Sequence, residues 1–245
     1  MRVLMTGGTG FVGQAMSDKL DSDAELLNRR EYCADWWQPL EWEYIIHLAP
    51  VLPDRVIECA KRCGARILFS SSGAAYAEHP TEYGKMKIQA ERMLAESGVD
   101  YVVARMFAFM GPHMKWDNFA VGNFIRDAER GGPITVMGDG QAVRSYLYAS
   151  DMASWMWTIL LHGKSGETYD VGSMHPIRIG HLAELVSYHY IPRPQINTLN
   201  KIAHEPALVY LPYNLNKTKY ELGVTQTIGI DEMLNLTIEA YRNEN

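Results

Sequence analysis

The sequence predicts an α/β fold, a doubly wound parallel sheet with a smaller, interleaved carboxy-terminal α/β lobe. Three observations carry this reading. Short apolar runs alternate with helical stretches through the first half of the chain. A glycine-rich turn joins the first apolar run to the first helix, and the alternation loosens after about residue 112.

The first strand is Arg2–Thr6, with Val3–Met5 as its buried centre. The glycine-rich turn runs Thr6-Gly-Gly-Thr-Gly-Phe-Val-Gly13, and Gln14–Leu20 reads as the helix after it. Ala24–Leu27 and Tyr44–Leu48 are the next apolar runs of strand length. Pro53–Cys63 reads as a helix, opened by proline and stopped by Gly64. Arg66–Ser70 is a strand, Tyr83–Ser97 a long helix ended by Gly98, and Tyr101–Arg105 the next strand. This order implies parallel strands with crossover helices. Beyond it, Asn118–Arg130 looks helical and closes on Gly131-Gly132, while Gly138-Asp-Gly140 marks a turn. Asp151–His162 is an apolar helix, Glu167–Val171 a strand, and Ile179–Tyr190 and Asp231–Arg242 further helices, with a loop at Pro192-Arg-Pro194. Residues 1–112, with returning segments around 134–155, are expected to form one domain, and 113–245 mainly the second lobe.

Composition narrows the function. The 245 residues are 47% hydrophobic, ample for a core, and the net charge of -6 is spread along the chain. Such a balance argues against nucleic acid or an anionic membrane as partner. No apolar run approaches the roughly 20 residues that span a bilayer. The chain opens directly on a strand with no signal peptide before it, so a cytoplasmic location is expected. Cys33, Cys59 and Cys63 show neither a disulfide framework nor metal spacing, and the histidines show none either. No metal is expected. His47 reads as strand-end packing, and Trp155 and Trp157 as packing of their helix.

Gly7, Gly10 and Gly13 follow a G-x-x-G-x-x-G spacing between a strand and a helix. That context suits a dinucleotide: backbone without Cβ approaches the pyrophosphate, and the helix start offers free N–H groups. The expected contacts are Gly7, Thr9, Gly10, Phe11, Val12 and Gly13, in a Rossmann-type domain. The second strand ends Asn28-Arg29-Arg30 with no carboxylate before Glu31. An NAD site usually places Asp or Glu there for the ribose hydroxyls. Two arginines suit a 2′-phosphate instead, so NADP is favoured over NAD, a solvated basic loop being the other reading. Asp35 is either an adenine contact or an ordinary loop carboxylate.

Tyr83 and Lys87 are spaced Y-x-x-x-K, which puts both on one helix face. A free phenol has a pKa near 10, too high for a base at neutral pH, and a neighbouring ammonium favours its ionised form. Tyr83 can then exchange a proton with a hydroxyl or ketone while a nicotinamide exchanges hydride. Lys87 can also hold the nicotinamide ribose. Ser70-Ser71-Ser72 closes the preceding strand, where a hydroxyl faces the ligand crevice of an open α/β sheet. Ser72 is placed to orient the reacting oxygen.

With these residues in hand, the sequence resembles the extended short-chain dehydrogenase/reductase family, in particular its nucleotide-sugar epimerases and dehydratases. The matching segments are Thr6–Gly13, Ile46–Ala49, Phe69–Tyr76, Tyr83–Lys87, Arg105–Pro112, Gly138–Tyr148, Asp151 and Tyr169–Gly172. The resemblance implies that Ser72, Tyr83 and Lys87 are the catalytic trio, and that Leu48 and Ala49 lie beside the cofactor. It implies that Asn123 touches the substrate diphosphate and that Arg144 pairs with it, against a helix-surface amide and a surface ion pair. The implied substrate is a nucleotide-diphosphate sugar and the implied chemistry epimerisation or 4-ketoreduction. A homodimer is compatible with the family. Dehydratases of the family place Asp-Glu after the catalytic hydroxyl residue, whereas Gly73-Ala74 follow Ser72 here. The chain is also short: 10 residues lie between Ser72 and Tyr83, trimming a loop that normally helps cover the substrate. A non-sugar short-chain reductase and a non-catalytic dinucleotide-binding regulator are the competing readings.

Overall fold

The computed structural model describes residues 1–20, 41–199 and 208–245 in full and 25–29 by their backbone. The elements in chain order are β1 (Arg2–Thr6), α1 (Phe11–Ser17), β2 (Glu25–Arg29), β3 (Tyr44–His47), α2 (Asp54–Cys63) and β4 (Arg66–Ser72). A 3-10 turn, Gly73–Tyr76, leads to α3 (Glu82–Ser97), β5 (Tyr101–Met106), β6 (Ala108–Met110), α4 (Ala120–Glu129), β7 (Ile134–Val136) and β8 (Val143–Tyr148). Then come α5 (Ala149–His162), β9 (Thr168–Val171), β10 (Pro176–Arg178), α6 (Ile179–Tyr188), β11 (Ile196–Thr198), β12 (Val209–Tyr210), α7 (Leu215–Leu222) and α8 (Ile230–Glu244).

These elements form two compact units. The first holds Met1–Phe107, Met152–Val171 and Pro212–Thr225, and the second Ala108–Asp151, Gly172–Leu211 and Gln226–Asn245. The segments that return to the first unit are therefore 152–171 and 212–225, not one around 134–155. The reason is pairing: β9 closes the first unit's sheet beside β5, whereas β8 pairs with β6 in the second.

The first unit is built on a six-stranded sheet of order β2-β1-β3-β4-β5-β9, with every pair parallel. Strand alternation gives one face Leu4, Ile45, Ile67, Phe69 and Val103, which pack on Val56, Ile57 and Ala60 of α2 and Ala90 and Leu94 of α3. The intervening Val3, Met5, Ile46 and Leu68 are equally buried, so both faces are covered, as a parallel sheet requires. Trp157 of α5 donates its indole N–H to the Met16 carbonyl of α1 at 3.1 Å, and Trp155 donates to Thr225. Both indoles thus hold helices, as packing residues.

In the second unit β8 is flanked by antiparallel β10 and parallel β12, and β6 also pairs with it. β7 and β11 form a separate parallel pair. No helix among the described residues is long and apolar enough to cross a membrane.

Candidate active site

The first unit's strands end together, and the turn after β1 is shaped by residues without a side chain. Gly7 has φ +74°, and a Cβ on it would stand 2.8 Å from the Ala49 nitrogen. A Cβ on Gly13 would stand 2.3 Å from the Gly8 α-carbon. The turn after β1 therefore folds tightly on itself and against Leu48-Ala49 at the end of β3. Gly10 caps α1, whose first residues are Phe11, Val12 and Gly13; the helix starts earlier than Gln14 because Gly13 is used for packing, not as a break. No side chain caps that helix start. Backbone bared in this way is the cradle a dinucleotide pyrophosphate needs. β2 pairs in register with β1, setting Asn28 opposite Met5 and Arg29 opposite Thr6, at the same sheet end. Arg30, Asp35 and Cys33 lie outside the described residues.

α3 carries the Tyr83–Lys87 pair, and its start is fixed by sequence. Thr81 caps it, accepting from the Gly84 N–H at 3.3 Å. Gly84 has no room for a Cβ, which would meet the Ala74 carbonyl oxygen at 2.8 Å. The first turn of α3 is thus pressed onto the 3-10 turn that follows Ser72. Tyr83 is 48% exposed, whereas Lys87 is 2% exposed. The Lys87 ammonium donates to the Ser70 carbonyl at 2.7 Å and lies 4.9 Å from the Phe69 ring centre and 5.6 Å from that of Tyr83. Ser72 is buried at the end of β4, and its Oγ accepts from the Ala74 N–H at 3.2 Å. Ser72, Tyr83 and Lys87 are thereby held on one strand end and the helix beside it.

Beneath them runs a stack. Phe69 lies flat on His47, ring centres 5.7 Å apart. His47 is fully buried; Nε2 lies 3.1 Å from the Val51 carbonyl and Nδ1 2.7 Å from Thr6 Oγ1. A carbonyl can only accept, so Nε2 carries the proton and Nδ1 accepts from Thr6. Burial lowers the imidazole pKa to about 4. His47 is thus neutral and structural, tying the ends of β1 and β3 together.

A second network escaped the sequence reading. Glu91, one turn beyond Lys87 on α3, takes the Arg105 guanidinium through both oxygens and the Ser71 hydroxyl through one. The Arg105 guanidinium lies 4.2 Å from the Tyr76 ring centre, and Tyr76 donates to Asp170 at 2.9 Å. The other Asp170 oxygen accepts the backbone N–H groups of Tyr213 and Asn214. Burial and the Asp170 carboxylate push the Tyr76 phenol up, against the pull of Arg105. The signal was available: Tyr83, Lys87 and Glu91 recur at intervals of four on one helix face. The partners across β4, β5 and β9 were not legible, since they meet only through the sheet.

In the second unit, Asn123 on α4 reaches the Asp117 carbonyl at 3.4 Å. Arg144 on β8 donates to the carbonyls of Val143 and Leu208 and lies 5.6 Å from the Tyr210 ring centre. It has no carboxylate partner among the described residues, so the surface ion pair is not what the structure contains. Among the same residues no group of acids, histidines or cysteines could hold a metal ion.

Residues 33–172, more than half of the chain, match the NAD dependent epimerase/dehydratase family. UDP-glucuronic acid decarboxylase 1 of Xenopus tropicalis is 27% identical, the match covering 99% of this chain and 72% of that protein. Among solved structures, UDP-glucose 4-epimerase of Thermotoga maritima with UDP-glucose superposes with a TM-score of 0.83 at 23% identity, covering 100% of this chain and 99% of that one. RMD of Pseudomonas aeruginosa complexed with NADPH gives 0.83 at 22% identity, with the same coverage. At these identities the structural likeness speaks for the fold.

Proposed function

The chain belongs to the NAD dependent epimerase/dehydratase family, and from that premise we propose that it is an NAD(P)-dependent nucleotide-sugar epimerase or 4-ketoreductase whose proton-transfer group is Tyr83. The observation that carries the proposal is the fixed pair on α3: a solvent-accessible phenol one turn from a buried ammonium pinned to the end of β4.

A bound nicotinamide dinucleotide supplies the hydride acceptor or donor. Gly7, Thr9, Gly10, Phe11, Val12 and Gly13 cradle its pyrophosphate, and Leu48 and Ala49 lie along it. Asn28, Arg29 and Arg30 select the 2′-phosphate, so NADP is the favoured form. Tyr83 takes the proton of a sugar hydroxyl during oxidation and returns it during reduction. Lys87 holds a positive charge beside the phenol and orients the ribose. Ser72 orients the reacting oxygen. Asn123 and Arg144 hold the diphosphate of the sugar nucleotide, Arg144 with a charge that no described carboxylate cancels.

Elimination needs an acid next to the hydroxyl residue, and Gly73-Ala74 supply none. Nor does the site leave room: a Cβ on Gly73 would stand 2.4 Å from the Phe107 ring. This supports epimerisation or ketone reduction over dehydration. A second reading comes from the curated relatives, which are named UDP-glucuronic acid decarboxylases. Oxidation at C4 of a hexuronate gives a β-keto acid, which loses carbon dioxide readily, so the same trio would serve.

The test is purified protein with NADP or NAD and a panel of UDP- and dTDP-sugars, UDP-glucuronate included. Products are read by chromatography and released carbon dioxide by isotope. An epimer, or a reduced 4-keto sugar with matching NADPH consumption, is expected, and Tyr83→Phe removes it. Carbon dioxide from UDP-glucuronate replaces this reading with decarboxylation. Reduction of simple ketones with no sugar nucleotide turned over replaces it with a non-sugar reductase.

A further inference from the structure

The second unit holds a cavity of about 420 Å³ that is open to solvent on one side. It lies among the loop after β9, α6, the start of α8 and the middle of β8, and shares no lining residue with the trio, the glycine turn, Asn123 or Arg144. Cavities of this volume hold small organic molecules.

The walls are chemically uneven. Ile177, Leu185, Ile228 and Met233 give an apolar lining. The polar groups around it are mostly committed to one another. Ser173 donates to Gln226 Oε1 at 2.7 Å and accepts from the His175 N–H, and Gln226 donates to the Ile228 carbonyl. Asp151 accepts the N–H groups of Thr227 and Ile228 and the Thr227 hydroxyl.

Two donors are left over. Tyr146 is 5% exposed and lines the cavity, yet its hydroxyl has no hydrogen-bond partner among the described residues. Burial pushes its phenol up to about 12, so it stays protonated and able to donate. The hydroxyl oxygen keeps accessible surface within the cavity, so it can donate to whatever fills it. The second donor is the start of α8. Its first intrahelical bond is Met233 N–H to the Gly229 carbonyl, and no side chain caps it, so the N–H groups before Met233 in the first turn have no partner within the helix. Gly229 and Ile230 of this turn line the cavity.

Donors without acceptors call for a ligand that accepts. Charge decides which kind. The buried Asp151 carboxylate stands behind Thr227 and Ile228, and Asp231 and Glu232 occupy the first turn of α8. Three carboxylates around one helix start oppose an anion. We propose that this cavity is a second binding site, which takes an uncharged molecule with an apolar body and a carbonyl oxygen that accepts from Tyr146 and the α8 backbone. The proposal rests on neither the cofactor nor Tyr83.

The test uses the full-length protein and the uncharged dye 6-propionyl-2-(dimethylamino)naphthalene, an aromatic body bearing one ketone. Saturable one-to-one binding with a blue-shifted emission is expected. Leu185→Trp, at a half-buried wall position, should weaken it more than tenfold by filling the space. Tyr146→Phe, which removes only the donor, should weaken it about three- to tenfold, the range of one hydrogen bond. Tyr83→Phe should leave it unchanged. Unaltered melting temperatures show that each variant is folded. If dye binding is absent, or is insensitive to both cavity variants, the site does not exist. If the anionic 1-anilinonaphthalene-8-sulfonate binds tighter and competes, the assigned ligand class is wrong.

Discussion

His47 holds no charge in the folded protein, and this has a measurable consequence. Its pKa falls from 6.5 when unfolded to about 4 in the native state. Between these values the unfolded chain binds a proton that the native state refuses, so stability is full above about 6.5 and is lost as pH falls toward 4. The loss is on the order of 3 kcal/mol. Urea titrations at pH 7 and pH 4.5 should show it, and in His47→Gln, where nothing titrates at this position, that part of the slope should vanish. An unchanged slope would mean that His47 is charged in the fold. At the same scale, Tyr83→Phe removes the proposed proton-transfer group and nothing of the turn around Gly7. Turnover should fall by about two orders of magnitude or more, within the range for general acid–base catalysis. Cofactor affinity, read by fluorescence titration, should not move. Residues of this kind were legible in sequence because their spacing is local: Tyr83 and Lys87 by helical interval, the glycines by their turn. Tyr76, Arg105 and Asp170 were not, because the contacts that define them join residues up to 94 positions apart.

Helix α3 is where local preference and packing disagree. Alanine is favoured over glycine inside a helix by about 1 kcal/mol. Yet Gly84 faces the Ala74 carbonyl, which is backbone and cannot swing aside. Gly84→Ala should therefore push the first turn of α3 away from the Ser72 turn by a few tenths of an ångström. Turnover is expected to drop at least tenfold, a sensitivity that positioning effects readily reach, while the melting temperature changes little. A large fall in melting temperature with normal specific activity in the folded fraction would refute this account. The far end of the same helix face is held by Glu91. With its carboxylate removed, Arg105 is left partly buried and unpaired, so Glu91→Gln should cost about 2–3 kcal/mol, below the range for fully buried pairs. Long, capped, periodic elements such as α2 and α3 were readable within a residue or two. The 3-residue strands β6, β7, β10 and β11 carry no usable period and are formed by their partners. Helix α7 is polar along most of its length and was missed. Its ties to the sheet all run to β9, with Thr218 donating to the Asp170 carbonyl, Lys217 to the Thr168 carbonyl, and Glu221 accepting from Tyr169, and no local pattern announces them.

For the molecule as a whole, the parallel sheet and its ligand-facing end followed from the alternation of apolar runs, but the path of the chain between its two units did not. Return to the first unit depends on β9 finding the free edge of β5, a long-range event. The proposed preference for NADP also belongs to the scale of the assembled sheet. Register sets the backbone of Asn28 and Arg29 beside the end of β1, the strand that leads into the glycine turn. An arginine meeting a 2′-phosphate makes charge-assisted bonds worth about 1.5–3 kcal/mol, some 10- to 100-fold in affinity. A ligand at 100 times its dissociation constant stabilises the folded state by about 2.7 kcal/mol. For a chain of this size that is a rise of roughly 5–10 °C in melting temperature. NADP should therefore raise the melting temperature by several degrees more than NAD at the same concentration. In Arg29→Ala/Arg30→Ala the two cofactors should give equal, smaller shifts, because the charge that distinguishes them is gone while the glycine cradle is intact. A larger shift with NAD in the unaltered protein would assign the basic pair to solvent, and the dinucleotide site would survive without its phosphate preference.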